Sequence, residues 1–540
     1  MTTRRRFITA AATGAAATGI AAGFWWRNRP LPDEARRAID APMPHDPAFP
    51  NRLAAPGAEG LHALLDMPDS ITLVAKAVHG VAGGASATAL AYECEYHGRT
   101  LLNPTLRIHS GATVGVKFWN ALDEESIIHW HGFKVDSNND GHPHYAVPAG
   151  ATYDYHYTVA NRSATCWYHP HPHHLTGKQT HLGLAGLFIV EDDDEARLQR
   201  ALDFKLWETD IPLLIQDKRL DAEGCPVYAP NAEERMHGYL GDRILVNCTL
   251  RPYFEATSRI YRFRIVNGSN ARLYRLAFLA NGTPLTYHVI GNDGGLLKRP
   301  YTATEAFLSP AERVDVLLDL RSAAAGDSIV LASLPFDPMH LDAPKHSPGR
   351  HAGHEVGFAS SEAGPEQGAG FDLMKVHVRR RIDYRANVPR DLSIVEAIDA
   401  RSARRRVLRL EQLNGAWRIN GLAYNVRATP IVVKRGTTEV WEVRNAARGM
   451  PHPMHVHGFQ FQLRERIGSP EQQRRNAVNE RGLSAPDLGW RDTVLVWPGE
   501  TVRFAIDFSH TYLGDQVYMV HCHNLEHEDH GMMLNFRVAA

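Results

Sequence analysis

NPTLRIHSGATVGVKFWNA (residues 103–121) and ATPIVVKRGTTEVWEVRNA (428–446) follow one plan at two distant places in the chain. Each runs through a proline, a short alternating apolar run, a glycine turn, a second such run and an asparagine. Apolar residues at period two mark a half-buried strand, and a glycine between two such runs marks the turn that joins them. RIYRFRIVNGS (259–269) reads as a degenerate copy between the two. ITLVAKAV (71–78), RVDVLLDL (313–320) and TVRFAIDF (501–508) are further short β-branched or aromatic runs. Short strands at this density predict an all-β fold of antiparallel sandwiches. Three copies predict three related β-domains, over 61–195, 196–375 and 376–540.

The flanks differ in character. Arg4-Arg5-Arg6 precedes an uncharged stretch from Phe7 to Trp26. An arginine pair in that setting reads as a twin-arginine export signal over 1–26, with an ordinary Sec signal as the alternative. A periplasmic location follows, with the N-terminus cleaved or kept as an anchor. Residues 27–60 carry Pro30, Pro32, Pro42, Pro44, Pro47, Pro50 and Pro56 and read as an extended linker. Residues 337–370 interrupt the strand pattern with Met339, His340, His346, His351 and His354, and read as a long surface insertion in the second domain. An exported chain can form disulfides among Cys94, Cys166, Cys225 and Cys248, and the sequence leaves their pairing open.

The 540 residues carry 59 basic and 60 acidic side chains, a balance that gives no electrostatic case for nucleic acid. The high count is histidine, at 30, the commonest metal ligand. Four His-x-His pairs stand out: His129/His131, His169/His171, His455/His457 and His521/His523. Residues i and i+2 of a strand share a face, so each pair offers two imidazoles side by side. Two pairs lie in the first third and two in the last. Packing of those domains against each other would bring eight imidazoles together. His142/His144 and His171/His173 fall outside this symmetric set and read as ordinary surface or core histidines.

Cys522 sits between His521 and His523, so alternation turns it to the opposite face. His452, His527 and Met532 lie at workable spacing to join it. Two imidazoles, a thiolate and a weak axial thioether are the ligand set of a blue-copper electron-transfer site. At about 3.3–3.6 Å per extended residue, such a site would lie on the order of 10 Å from a histidine cluster built on His521 and His523. One site would collect single electrons and the other store several, and dioxygen is the natural multi-electron acceptor.

HWHG (129–132), CWYHPHPHHLTGKQTHLGLAGLFIVED (166–192), HPMHVHGFQF (452–461), GWRDTV (489–494) and HCHNLEHEDHGMM (521–533) resemble the copper signatures of the three-domain multicopper oxidases, in particular bacterial periplasmic copper-efflux oxidases and laccase-like enzymes. The resemblance runs from about residue 60 to the C-terminus, dense at the motifs and loose in the middle. It implies three cupredoxin-like Greek-key β-sandwiches and four coppers per chain. His452, Cys522, His527 and Met532 resemble the type 1 ligands, with Met533 the alternative axial residue. His129 and His455 resemble the type 2 ligands. His131, His169, His171, His457, His521 and His523 resemble the ligands of the binuclear type 3 pair. Asp140 and Glu528 resemble the acids that supply protons for O2 reduction, and Asp492 resembles a residue that orients a histidine. Implied partners are O2, a small organic or Cu(I) reductant and the twin-arginine export machinery, and a monomer is expected.

The chain departs from the copper-efflux pattern in two places. It has 11 methionines in all, so its insertion is histidine-rich rather than methionine-rich. Arg448 stands where relatives often carry an acid that meets substrate metal. Arg448 argues against simple transfer of cuprous-oxidase activity and leaves phenols and aromatic amines open as reductants beside Cu(I). The insertion either delivers metal or is a solvated loop. Two other readings of the fold are a catalytically silent periplasmic scaffold and a copper-sequestering protein. The complete ligand set and the Cys522 link between sites speak against both. A two-domain nitrite reductase is too short to account for this chain.

Overall fold

Both repeats take the same place in their sandwiches. Thr113–Asn120 lies parallel to Ile71–His79 and antiparallel to Thr152–Thr158. Thr438–Asn445 lies parallel to Arg404–Leu413 and antiparallel to Thr501–Asp507. The degenerate copy, Ile260–Asn267, has the same neighbours in Asp210–Lys218 and Arg313–Asp319. The first strand of each repeat belongs to the other sheet. Thr105–His109 pairs parallel with Gly186–Glu191, and Ile431–Lys434 with Met533–Ala539. The middle counterpart is Pro252–Thr257, parallel to Phe371–Arg380. The glycine turn of the repeat is therefore the corner where the chain changes sheets.

The computed structural model describes residues 46–56, 60–80, 87–339 and 364–540. The export signal and His340, His346, His351 and His354 lie outside them, as does most of the linker. Each third of the chain supplies two sheets: five- and five-stranded, seven- and seven-stranded, then five- and five-stranded. Each pair encloses its own apolar core, around Leu73, Val116 and Phe188, then Phe263, Val316 and Leu331, then Trp441, Val520 and Phe536. In Ile71–His79 the inward residues Ile71, Leu73 and Ala75 are buried while Thr72 is exposed. Burying a leucine or isoleucine contributes about 1.5–3 kcal/mol, so a one-residue slip that turned this face outward would be strongly disfavoured.

The structure differs from the sequence reading in three respects. The sheets are mixed, not antiparallel, because long returns lay sequence-distant strands side by side and local alternation does not encode the neighbour's direction. Asn51–Arg52, in the stretch read as linker, pairs parallel with Pro252–Tyr253; an edge strand asks only for an extended backbone, which a proline-rich segment already has. Phe371–Arg380 continues past the expected boundary at 375 and stays in the middle sandwich through its pairing with Ser328–Ser333.

Buried charge joins the sandwiches. Ile260–Asn267 is buried along its whole length, with Tyr261, Phe263 and Ile265 in the middle core. Its alternate residues Arg262 and Arg264 meet Glu195, Asp210 and Asp315.

The strands that carry the histidine pairs are Ile128–His131 (β1) and Ala164–Pro170 (β2) in the first sandwich. In the third they are His452–Val456 (β3) and Gln516–Cys522 (β5), with Thr493–Val496 (β4) paired beside β3. Three short helices flank them: Thr176–Leu182 (α1), Ala232–His237 (α2) and Leu525–Asp529 (α3).

Candidate metal centre

Antiparallel pairing sets His129 on β1 opposite His169 on β2, and His455 on β3 opposite His521 on β5. The first and third sandwiches meet at these strand ends. His129 Nε2 faces His455 Nε2 at 3.4 Å, and His457 Nε2 faces His521 Nε2 at 2.9 Å. His171 Nε2 lies 3.5 Å from His521 Nε2. His169 Nε2 lies 3.4 Å from both His523 Nε2 and His131 Nδ1. All eight imidazoles are at most 1% exposed.

The outward nitrogens explain what the inward ones are. His129 Nδ1 donates to the Asp140 carbonyl (2.6 Å), His455 Nδ1 to the Asp492 carbonyl (2.9 Å) and His169 Nδ1 to the Pro170 carbonyl (2.9 Å). His457 Nδ1 donates to the Asp140 carboxylate at 2.7 Å. His521 Nδ1 lies 3.1 Å from the Cys522 carbonyl and from Glu528 Oε2. His131 is reversed: its Nε2 donates to Asp492 Oδ1 at 3.1 Å, which turns Nδ1 inward. A neutral imidazole has one N–H. In these rings it is spent on an oxygen outside, so lone pairs face one another inside. Such an arrangement is repulsive unless cations lie between the rings, and it is the way metal-binding histidines are oriented. The donor set fits copper.

Burial pushes the pKa values of His129, His131, His171, His455, His457 and His523 well below the usual histidine value, and that of His169 down to about 3. Neighbouring imidazoles add to the fall in most of them. The unfolded chain binds protons near pH 6.5 and the folded metal-free chain does not, so this contribution to stability is complete above that pH and is lost progressively below it. The unfolding midpoint of the metal-free protein is expected to fall steadily from pH 7 to pH 5 in calorimetry. A flat profile would contradict the neutral cluster.

The motif glycines have steric reasons. A Cβ on Gly132, at φ +95°, would come within 2.8 Å of an Arg313 nitrogen and 3.2 Å of Cys166 Sγ. A Cβ on Gly141, at φ +87°, would come within 2.1 Å of the Ile128 carbonyl. The first lets Arg313 and Asp492 close on His131, and the second lets Asp140 turn back to His129.

A second cluster lies on the other face of β5. Cys522 Sγ is 3.5 Å from His452 Nδ1 and 3.5 Å from His527 Nδ1. Burial pushes the thiol pKa up. Met532 is buried in the same core, and its carbonyl accepts the Cys522 N–H at 3.1 Å. The turn from β5 into α3 thus folds His527 and Met532 back toward the cysteine. His527 Nε2 donates to the Met236 carbonyl of α2 at 2.9 Å, and Trp417 Nε1 donates to the same oxygen at 2.8 Å. The Trp417 ring stands edge-on to His452, centroids 4.7 Å apart. Beside them opens a cavity of about 160 Å³, into which His527 and Trp417 face.

The two acids singled out in the sequence are both buried beside imidazoles. Glu528 lies 3.4 Å from His171 Nε2 and 3.1 Å from His521 Nδ1. Asp140 holds His457, and burial raises its pKa. Asp492 contacts His131 and His455. Sequence reasoning missed Arg313, Thr493, Glu526, Met236 and Trp417. Thr493 Oγ1 lies 3.1 Å from His455 Nδ1, and its place in GWRDTV beside Asp492 was the available signal. Glu526 binds Tyr228, Tyr239 and Asn270, and burial raises its pKa to about 7. His142, read as an ordinary histidine, donates from Nε2 to Asn535 Oδ1 (2.9 Å) and caps a short turn by accepting the His144 N–H at Nδ1. The five cysteines form no disulfide.

The family description Multicopper oxidase matches residues 90–195 and again residues 392–540. The laccase of Bacillus subtilis (strain 168) is 32% identical over 443 residues, covering 76% of this chain and 79% of that one. The multicopper oxidase mco of Staphylococcus epidermidis is 30% identical over 448 residues, covering 82% and 83%. Among solved structures, the McoA multicopper oxidase of Aquifex aeolicus superposes with a TM-score of 0.78 at 39% identity, covering 89% of this chain and 98% of that one. The sandwiches are cupredoxin-like, as in these structures.

Proposed function

This chain belongs to the multicopper oxidase family, oxidoreductases that use copper and O2, and on that premise we propose how its own residues divide the work. His452, Cys522, His527 and Met532 hold a type 1 copper. His129 and His455 hold the type 2 copper. His131, His169 and His523 hold one member of the type 3 pair, and His171, His457 and His521 the other. Bound there, copper supplies one-electron oxidation of a reductant at the first site and four-electron reduction of O2 to water at the cluster. The observation that carries this reading is the set of inward lone pairs on six of the eight cluster imidazoles, whose outward nitrogens are fixed by oxygen acceptors.

The protein's part is orientation, exclusion of water and proton supply. Because the end of β5 leads through His521-Cys522 straight into His523, the two centres share a covalent path of one residue in each direction. The eight buried rings keep bulk water from the cluster. Glu528 and Asp140 each hold a carboxylate beside a cluster imidazole, where a proton can be delivered to reduced oxygen. Asp140→Asn keeps the acceptor carbonyl for His129 and removes the acid. It is expected to slow O2-dependent reoxidation of the reduced enzyme by about 10²-fold or more, read by stopped flow. Reoxidation at the wild-type rate would remove Asp140 from the proton path.

Reductants meet the protein at the cavity beside His527. Its walls include Trp417, Ala416 and Ala232, and among the described residues no carboxylate lines it, which supports an organic reductant over Cu(I). Met339, the one methionine or histidine of the insertion among the described residues, packs against Leu273 and Trp497. The twin-arginine reading of residues 1–26 makes the enzyme periplasmic; replacing Arg4, Arg5 and Arg6 with lysine and fractionating cells tests it. Copper content together with O2 uptake tests the whole reading.

A further inference from the structure

The cavity at the electron-entry side has an electrostatic character that its apolar walls do not require. Among the described residues, Arg235, on the exposed side of α2, is the one permanently charged side chain lining it, and its guanidinium has no carboxylate partner. Arg418 stands behind the same wall. Its Nη1 donates to the carbonyls of Trp417 and His530, each at 2.8 Å, so its charge is fixed there by neutral oxygens rather than by an acid. Arg448 is exposed next to Gly449, where a Cβ would come within 3.5 Å of the Trp417 ring. The buried arginines of the protein behave otherwise: Arg262, Arg264, Arg313, Arg466 and Arg491 all meet carboxylates.

The outer nitrogen of His527 is already occupied by the Met236 carbonyl, so a reductant cannot be recognised by a hydrogen bond to that ring. Recognition has to come from the walls. Trp417 offers an aromatic face, and the cavity of about 160 Å³ is near the size that accommodates one benzene ring. A guanidinium fork at the lip matches a carboxylate or sulfonate.

We propose that this pocket selects single-ring phenolic reductants bearing an anionic group, with the ring against Trp417 and the anion on Arg235. This rests on the reading of His527 as a type 1 ligand at the point of electron entry. Uncompensated positive charge also disfavours cationic amines and metal ions at the same lip.

Three reductants of one skeleton test it by O2 uptake with the copper-loaded enzyme: catechol, its carboxylate 3,4-dihydroxybenzoate and its ammonium analogue dopamine. Differences in their intrinsic ease of oxidation cancel when each ratio is compared between proteins. In Arg235→Glu the carboxylate-to-ammonium ratio of kcat/KM is expected to fall on the order of tenfold or more, mainly through KM. Arg235→Lys, which keeps the charge and loses the fork, should lie between. Added salt should shrink the wild-type preference. An unchanged ratio in Arg235→Glu, with catechol still oxidised, overturns the pocket's selectivity and leaves the oxidase reading standing. No O2 uptake with any of the three, in protein shown to carry copper, overturns both.

Discussion

Replacing Cys522 with serine is expected to abolish the blue absorption and the oxidation of every reductant. The side chain is fully buried, with Sγ at 3.5 Å from both His452 Nδ1 and His527 Nδ1. Serine is nearly isosteric, so the β5–α3 turn survives, and the unpaired hydroxyl costs about 1–3 kcal/mol at most. A hydroxyl that stays protonated cannot replace a thiolate as a soft ligand. The loss of turnover should exceed the roughly 10–100-fold typical of losing a residue that merely supports a ligand. The variant should still bind copper at the histidine cluster, which has its own ligands. Copper analysis and absorption spectra on the same sample check this. Cys225→Ser, at a partly exposed thiol far along the chain, is the matched control and should stay blue. A blue, active Cys522→Ser protein would remove the cysteine from the electron path.

The second large effect is expected at Arg313, in the middle sandwich, which supplies none of the proposed ligands. All five of its N–H donors are used. Nε meets the Thr165 carbonyl of the first sandwich at 3.0 Å, and the terminal nitrogens meet the carbonyls of Ala311 (2.9 Å) and Asp293 (3.0 Å) and both oxygens of Asp492 (2.7 and 2.5 Å). Asp492 in turn fixes His131 and lies beside His455. One guanidinium therefore ties three sandwiches together and holds the carboxylate that sets the orientation of His131. Arg313→Met keeps length and volume but leaves Asp492 buried without its partner. Breaking a buried pair in this way costs about 3–5 kcal/mol. Unfolding of the metal-free protein in denaturant should shift accordingly, and copper affinity of the cluster should fall roughly 10–100-fold. Arg313→Lys supplies charge without the planar fork and should recover only part of either. Wild-type stability with full copper content in Arg313→Met would refute the keystone role.

These two residues mark how far the sequence could be read. Cys522 announces itself because a period of two puts it between two histidines and on the opposite face. The same rule made the four His-x-His pairs visible, and the repeated strand–glycine–strand unit carried the three sandwiches. Asp492 was noticed through its motif, but its partner Arg313 lies in a plain apolar strand, RVDVLLD, where an arginine at the first position reads as a solvated end. Only the close packing of three sandwiches reveals why it is buried. Met236 and Trp417 escaped for a similar reason. The cap on His527 is a backbone carbonyl, which no side-chain pattern encodes, and Trp417 comes from the short strand Ala416–Ile419. Parallel pairing in each sandwich was equally hidden, since alternation reports which face is buried and not which way the neighbour runs.

On the proposed function, one chain couples single-electron oxidation to complete reduction of dioxygen. The most direct test is the stoichiometry of turnover with a one-electron reductant in a sealed oxygen cell, with peroxide assayed at the end. One O2 consumed for every four reductant molecules, with no accumulated hydrogen peroxide, is the expected result. One O2 for every two reductants, with peroxide left behind, would contradict it and would mean that the histidine cluster does not act as a unit with the cysteine site.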